Sequence, residues 1–323
     1  MLTECVVNIS EGRNIKTISE VVRHLEANDA RILHVDRGDG AHRTVITLVA
    51  DSSAMPQAIL ALYEVCLKRI DMNVHKGCHP RIGAVDVCPF IPLEGQGVRC
   101  PKTVEKLQNM CAELGEEIAQ NFGLPVYLYG LSTPQDSKAS DRTELSYLRK
   151  GGFESLATKM LKVEFAPNYG PAKPHPTGGA TVLGVRDFLV AYNITLDSSD
   201  LKIAKMGAKF LRALPGVKAL GWFIPEYGRV QISCNITNIY EVSIVDVYNQ
   251  ACEFAQNQNV RVSGSEVIGL IPLHNLLLAF EKNKQSGTNI TLEEFIPLLI
   301  DRLGLSLHGE FNPKCRILEW VLQ

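Results

Sequence analysis

The chain has 323 residues, 46% of them apolar, and 35 acidic side chains against 33 lysines and arginines give a formal net charge of -2. This length and apolar content are enough for a globular protein with a substantial core, in two domains or one large one. The near-balanced charge includes no basic stripe of the kind that binds nucleic acid or anionic lipid. Neither polyanion is therefore expected as a partner.

The nine cysteines are odd in number, scattered along the chain, and include no Cys-x-x-Cys pair. This pattern indicates neither a disulfide framework nor a zinc ribbon. The amino terminus enters a strand-like run without a basic segment, and no stretch reaches eighteen continuous apolar residues. We therefore expect a cytoplasmic protein in a reduced compartment, with no membrane-spanning segment.

The first part of the chain predicts the order strand, helix, strand, strand, helix, strand. The predicted strands cover 4–9, 31–36, 43–50 and the apolar run after His79, and the predicted helices cover 15–27 and 55–71. Glycines and aspartates over 37–42 predict a hairpin turn. This is the split β-α-β order of an antiparallel sheet with its helices on one face. In that arrangement Asp36 and the loop bearing His79 lie at the same end of the sheet.

A change in composition predicts a domain boundary. After a helix over 103–121, a strand over 126–129, a polar loop over 132–143 and short helices over 144–150 and 153–160, residues 164–184 contain four prolines and four glycines. Such a segment is typical of a connection between domains. We predict an N-terminal subdomain over 1–178, which carries the catalytic residues, and a C-terminal subdomain over 179–323.

The second half repeats the order of the first. Its predicted strands cover 188–196, 217–224, 230–236 and 261–268, and its predicted helices cover 200–214, 242–256, 272–281 and 292–303. The predicted fold class is α+β, an α/β sandwich of two ferredoxin-like βαββαβ subdomains packed together.

Residues 75–81 (HKGCHPR) are the strongest candidate for chemistry, because they hold two imidazoles, an ammonium and a guanidinium directly before a buried strand. Imidazole exchanges protons near neutral pH, so His75 or His79 could be a general base, although both could equally cap loop backbone. His75 and His79 could bind a metal together if they lay on a helix, but Gly77 and Pro80 disfavour a helix here, and no third ligand lies nearby in the sequence. No glycine-rich nucleotide loop or serine-hydrolase elbow is present. No metal is predicted.

Four segments resemble the formiminotransferase family: 4–12 (ECVVNISEG), 75–92 (HKGCHPRIGAVDVCPFIP), 126–130 (VYLYG) and 179–182 (GATV). The resemblance is to glutamate formiminotransferase, the transferase part of formiminotransferase-cyclodeaminase, and it extends from residue 2 to the C-terminus. Because the chain stops where the transferase part ends, we expect no cyclodeaminase domain.

The resemblance implies an enzyme of histidine degradation. It would transfer the formimino group of N-formimino-L-glutamate to N5 of the co-substrate tetrahydrofolate, as a dimer or larger assembly. The family's catalytic histidine matches His79, its active-site aspartate matches Asp36, and the arginine after the His-Pro pair matches Arg81. The implied folate contacts are Ala166, Pro167, Asn168, Tyr169, Gly170 and Pro171, with Gly178 and Gly179. The chain departs from the family pattern over 172–176 (AKPHP).

These residue types suit the reaction. His79 can remove a proton from N5 and return one to the departing nitrogen, and a carboxylate such as Asp36 can orient it. Arg81 could bind a substrate carboxylate, or form a structural ion pair with an acid such as Asp86. The alternatives are a glutamate formyltransferase using 5-formyltetrahydrofolate, since NH and O differ little in shape, and a folate-binding protein without activity.

Overall fold

The computed structural model describes residues 1–93, 98, 100–133, 144–284 and 290–323. The chain divides into two compact units, Met1–Asp187 and Phe188–Gln323, each with its own apolar core. Among these residues, no helix has both the length and the apolar character needed to cross a membrane.

The first unit is built on a six-stranded sheet. Its elements are β1 Leu2–Ile9, α1 Ile15–Glu26, β2 Arg31–Gly38, β3 Arg43–Asp51, α2 Met55–Arg69, β4 Val85–Pro92, α3 Pro101–Phe122, β5 Val126–Leu128, α4 Leu145–Arg149, α5 Leu156–Lys159 and β6 Thr181–Val185. The strand order is β2-β3-β1-β4-β6-β5. The first four strands are antiparallel and, with α1 and α2, form the predicted ferredoxin-like unit. The predicted hairpin between β2 and β3 is confirmed.

Because of the last two strands of this sheet, β5 and β6, the boundary between the units lies later in the chain than predicted. β6 pairs in parallel with both β4 and β5, so the first unit continues past the predicted boundary at 178/179 and ends at Asp187. All five residues of β6 are buried. A strand buried on both faces has no polar alternation, and here it directly follows a segment rich in proline and glycine. Sequence reasoning therefore assigned β6 to the predicted connection between the domains, residues 164–184.

The two faces of the first sheet are covered differently. Helices α1, α2 and α3 pack on one face and form the main core. Helix α1 begins at Asn14, whose side chain accepts a hydrogen bond from the Thr17 amide at 3.2 Å, and it buries Ile18, Val21 and Leu25 at helical spacing. On the other face, α4 and α5 cover a smaller cluster beside β4, β5 and β6. Most of the predicted polar loop over 132–143 lies outside the described residues, from position 134 onward.

The second unit repeats the ferredoxin-like order with a four-stranded antiparallel sheet. Its elements are β7 Val190–Leu196, α6 Leu201–Leu211, β8 Val217–Ile224, β9 Arg229–Ile236, α7 Ile244–Asn257, β10 Val262–Ile268, α8 Leu273–Asn283, α9 Leu292–Leu303, α10 Pro313–Arg316 and α11 Leu318–Leu322. The strand order β10-β7-β9-β8 matches β4-β1-β3-β2 of the first unit. The predicted fold class is confirmed in both units.

A close backbone contact joins the loop before β4 to the segment before β6, and Gly83 lies at its centre. Gly83 bridges Gly179, and a Cβ atom added at Gly83 would lie 1.9 Å from the carbonyl oxygen of Ala180. We expect Gly83→Ala to lower the free energy of unfolding by about 1–3 kcal/mol or more, because backbone must move to admit the methyl group. Urea unfolding followed by circular dichroism measures the change.

Gly38→Ala is the matched control. Its added Cβ would meet Ala41 Cβ at 3.3 Å and no backbone atom closer than 3.6 Å, so it should alter stability much less. Equal effects of the two substitutions would contradict the account of this contact.

Candidate active site

Three loops meet at one end of the first sheet and position residues 75–81. They are the loop from β1 to α1, the turn from β2 to β3, and the long loop from α2 to β4. The amide of Cys78 donates to the Gly40 carbonyl at 3.3 Å, and a Cβ atom at Gly77 would lie 2.2 Å from the Ala41 carbonyl oxygen. Only glycine allows this close approach, so Gly77 lets the histidine-bearing loop rest directly on the β2–β3 turn.

Arg81 and His75 form a buried structural pair. Arg81 Nε donates to His75 Nδ1 at 3.1 Å, and Arg81 Nη2 donates to the His75 carbonyl oxygen at 3.1 Å. Its two terminal nitrogens also bond both oxygens of Glu154, at 2.9 and 2.7 Å. Four of its five N–H groups are thus engaged within the protein. The ion pair considered for Arg81 exists, but its partner is Glu154 and not Asp86.

This contact fixes the protonation state of His75. Since Nδ1 accepts from Arg81, the proton is on Nε2, which donates to the His42 carbonyl oxygen at 2.8 Å. Burial, with the charges of His42 and Arg81, lowers the pKa of His75 below 6.5. Both ring nitrogens are occupied, so His75 is not a base for substrate.

His42 and Glu11 extend this network to the loop after β1. The His42 ring stacks on His75 with centroids 4.2 Å apart, and its Nδ1 and Nε2 lie 3.0 Å from the Lys76 carbonyl and 3.2 Å from Glu11 Oε1. Glu11 also accepts from the backbone amides of Arg13 and Asn14, at 2.8 and 2.9 Å. Although burial opposes them, these hydrogen bonds lower the pKa of Glu11.

His79 differs from His75 in its contacts. It is half-buried, and its Nδ1 lies 2.7 Å from the Pro80 carbonyl oxygen. A carbonyl only accepts, so Nδ1 carries the proton and Nε2 holds the basic lone pair. Loss of water around the ring and the positive charges of Arg43 and Arg149 hold the pKa of His79 well below 6.5, against the opposing charge of Asp86. The ring is therefore a neutral base at physiological pH.

Asp86 is fully buried and joins the elements around His79. Its Oδ2 lies 2.6 Å from Arg43 Nη1 and also contacts Arg149, while its Oδ1 accepts from the Ile82 amide at 2.9 Å. Burial alone would raise the pKa of Asp86, but the two arginines lower it to about 2. Burial lowers the pKa of Arg43 to about 10, a value at which it is still charged at neutral pH. The cluster therefore holds two cations and one anion.

Asp36 lies at the predicted end of the sheet, near the end of β2. It is opposite Val45 of β3, which is opposite Asn8 of β1, which in turn is opposite Val87 of β4. Three strand spacings separate β2 from β4, roughly 14 Å. The Asp36 carboxylate lies 3.7 Å from His34 Nε2.

The segment over 166–171 runs along the β5 edge of the sheet. Asn168 Oδ1 accepts from the Leu128 amide at 2.9 Å, and the Tyr169 carbonyl accepts from the Val126 amide at 2.9 Å. Gly170 has φ of +85°, a conformation that favours glycine. Asn168 and Gly170 are exposed, while Ala166, Pro167, Tyr169 and Pro171 are half-buried.

Gly178 and Gly179 are buried directly before β6, where they contact the end of the loop that leads from α2 to β4. The Gly178 carbonyl accepts from the Ala84 amide at 2.9 Å, and the Gly178 amide donates to His175 Nδ1 at 2.8 Å. Gly179 has φ of +72° and forms a bridge with Gly83. Both glycines therefore form part of the contact between the segments that precede β4 and β6.

Sequence reasoning missed the two arginines, Arg43 and Arg149, whose charges lower the pKa of His79. Arg43 opens β3 and Arg149 ends α4, so neither is near residue 79 in the chain. One signal was available, because Asp86 interrupts an otherwise apolar run that predicts a buried strand. A buried carboxylate needs cationic partners, and these could have been sought among the arginines.

The fold and this loop define a two-unit α+β protein with one neutral, partly accessible histidine base in its first unit. Residues 2–186 match the N-terminal subdomain of the formiminotransferase domain, and residues 191–323 match the formiminotransferase domain. The chain therefore belongs to the formiminotransferase family, as its resemblance over residues 75–92 predicted.

Curated relatives agree with this assignment. The chain is 34% identical to a formimidoyltransferase-cyclodeaminase of Dictyostelium discoideum, with 100% of this chain aligned to 60% of that protein. It is 34% identical to a glutamate formimidoyltransferase of Streptococcus pyogenes serotype M1, covering 85% of this chain and 91% of the relative. A protein of the same name from Thermoplasma acidophilum is also 34% identical, covering 85% and 90%.

Asp86→Asn tests the buried cluster. Removing the carboxylate leaves two buried guanidinium groups facing each other, and we expect a loss of about 3–5 kcal/mol in the free energy of unfolding. The double variant Asp86→Asn/Arg149→Met should recover part of that loss, because one of the two cations is then gone. Urea unfolding of both variants measures the difference.

Asp39→Asn is the control, since this carboxylate pairs with Arg13 at 3.0 Å but is 55% exposed. Little change is expected there. An Asp86→Asn protein as stable as the Asp39→Asn protein would contradict the assigned role of Asp86.

Proposed function

We propose that the protein transfers the formimino group of N-formimino-L-glutamate to N5 of tetrahydrofolate, giving 5-formiminotetrahydrofolate and L-glutamate. Membership of the formiminotransferase family supports this reaction class. The observation that carries it in this chain is His79, a neutral imidazole whose Nδ1–H bonds the Pro80 carbonyl, so that the basic lone pair is on Nε2.

In the proposed reaction, N5 of tetrahydrofolate attacks the formimino carbon and forms a new C–N bond. His79 Nε2 removes the proton from N5, and the tetrahedral intermediate then breaks its bond to the glutamate nitrogen. The imidazolium returns the proton to that departing nitrogen, so the ring is neutral again at the end of the cycle. One imidazole can serve in both steps because the proton that it takes from N5 is the proton that it gives to the departing nitrogen.

Asp36 and Arg81 have different proposed roles. We propose that Asp36, which matches the family's active-site aspartate, supports the positive charge that develops at the site; it lies at the same end of the sheet as the histidine loop, three strand spacings from β4. For Arg81 we propose a positioning role, since it holds His75 and Glu154 and thereby fixes the loop on which His79 lies. A role in binding substrate carboxylate has only its remaining N–H group to offer.

The folate contacts and the cellular setting remain proposals. We propose that tetrahydrofolate contacts the segment over 166–171 and the backbone near Gly178 and Gly179, of which Asn168 and Gly170 are the most exposed. A homodimer and a role in histidine degradation follow from the family resemblance. A cytoplasmic location follows from the odd, scattered cysteines.

Turnover by His79→Ala tests the function. Purified protein is mixed with tetrahydrofolate and either N-formiminoglutamate or N-formylglutamate, and loss of tetrahydrofolate is followed. We expect the wild type to consume the formimino donor, and His79→Ala to lose about 10²- to 10⁴-fold in kcat while still binding folate.

His24→Ala, on α1 outside the loop cluster, is the control and should retain activity. Turnover of the formyl donor alone would transfer the proposal to formyl exchange. Folate binding with neither donor consumed would reject an enzyme, and near-normal turnover by His79→Ala would reject the role of this residue.

The lowered pKa of His79 predicts the pH profile. A base is lost only when pH falls through its own pKa, which lies well below 6.5 here. The value of kcat/KM should therefore stay constant down to pH 6.5, where an unperturbed imidazole would be about half protonated. An acid limb of kcat/KM centred at or above 6.5 would show that His79 is not the titrating base, or that its surroundings do not lower its pKa.

A further inference from the structure

The cluster of Asp86, Arg43 and Arg149 contains one more positive than negative charge. Arg43 is 7% exposed and Arg149 is 12% exposed, and both contact the single carboxylate of Asp86. Buried charges are normally paired, because removing an ion from water is costly. The surplus cation is therefore a feature that stability alone does not explain.

Arg149 is the cation with unused hydrogen-bonding capacity. Arg43 is held by two partners, Asp86 and the Asn8 side chain, which accepts from Arg43 Nε at 3.0 Å. Within the described part of the chain, Arg149 Nε is buried without a hydrogen-bond partner, whereas Nη2 contacts the Asp86 carboxylate. A planar guanidinium suits a carboxylate, which it can bind at two points, and Arg149 still has a donor to offer.

The chemistry of the departing group identifies the carboxylate that would bind at this cluster. The identity of this carboxylate rests on the proposed function. The nitrogen that leaves in formimino transfer is bonded to the α-carbon of glutamate, and that carbon also bears the α-carboxylate. If His79 delivers a proton to this nitrogen, the α-carboxylate must lie within a few bonds of the imidazole. Asp86, which Arg43 and Arg149 contact, accepts from the amide of Ile82, three residues after His79, so both arginines lie at the end of the histidine loop.

We propose that Arg149, supported by Arg43 and Asp86, forms the subsite for the α-carboxylate of the amino-acid substrate beside His79. Asp86 orients both guanidinium groups, and the bound carboxylate supplies the second negative charge that balances the cluster. The site distinguishes the amino-acid donor by a group next to the reacting nitrogen. Tetrahydrofolate is not a ligand of this subsite.

The test changes the protein and the substrate together. Each enzyme is assayed with N-formiminoglutamate and with the same amidine built on 4-aminobutyrate, which is glutamate without its α-carboxylate. We expect the wild type to prefer the glutamate compound by about ten- to a hundredfold in kcat/KM, the usual range for a charge-assisted contact. In Arg149→Met this preference should fall towards unity, while the KM for tetrahydrofolate stays the same.

Two further variants make the result specific. Arg149→Lys keeps the charge but loses the two-point geometry, so it should retain part of the preference. Lys150→Met removes a neighbouring exposed charge and should leave the preference unchanged. Arg149→Met leaves Asp86 and Arg43 as a matched pair, so the fold is expected to tolerate it.

The outcomes separate this inference from the proposed function. If the wild type consumes N-formiminoglutamate but shows no preference over the 4-aminobutyrate compound, the subsite is wrong, whatever the stability of the variants. A preference that persists unchanged in Arg149→Met also overturns it. If the wild type consumes neither amidine, the proposed function itself fails.

Discussion

The buried carboxylate of Asp86 is the interaction on which the site depends. It ties together β3 through Arg43, α4 through Arg149, and the end of the histidine loop through the Ile82 amide. These elements belong to different layers of the first unit, and a carboxylate with no exposed surface is stable there only when it is paired with a cation. The charges of the same two arginines lower the pKa of His79, so one buried ion cluster affects both the local geometry and the electrostatics.

The loop over 75–81 divides two roles between its two histidines. His75 is held on both ring nitrogens, by Arg81 and by the His42 carbonyl, and its stacking on His42 anchors the loop to the β2–β3 turn. His79 Nδ1 is bonded to the Pro80 carbonyl, which orients the ring and places the basic lone pair on Nε2. His75 thus anchors the loop, and His79 is oriented on it before substrate arrives. Such orientation favours general base catalysis, the role proposed for His79.

The sequence predicted most of the antiparallel strands because they are short runs rich in apolar and β-branched residues bounded by turn residues, as in 43–50. It predicted the helices because their apolar residues recur every three to four positions. It did not predict β6, since this five-residue strand contains Gly184 and directly follows the segment rich in proline and glycine. At the site, spacing alone could not separate His75 from His79, and the choice of His79 came from the family resemblance. The sequence did not predict the ion pair of Arg81, because its partner Glu154 is 73 positions away in the chain and only the fold brings the two together.

The most direct test of this account is the protonation state of His79, read by nuclear magnetic resonance of protein carrying ¹⁵N-labelled histidine. His79→Ala identifies the signals of this ring among those of the eight histidines. The account predicts a neutral ring at neutral pH with its proton on Nδ1 and an unprotonated Nε2, unchanged as pH falls to 6.5. A ring that carries its proton on Nε2, or that is charged at neutral pH, would contradict the account.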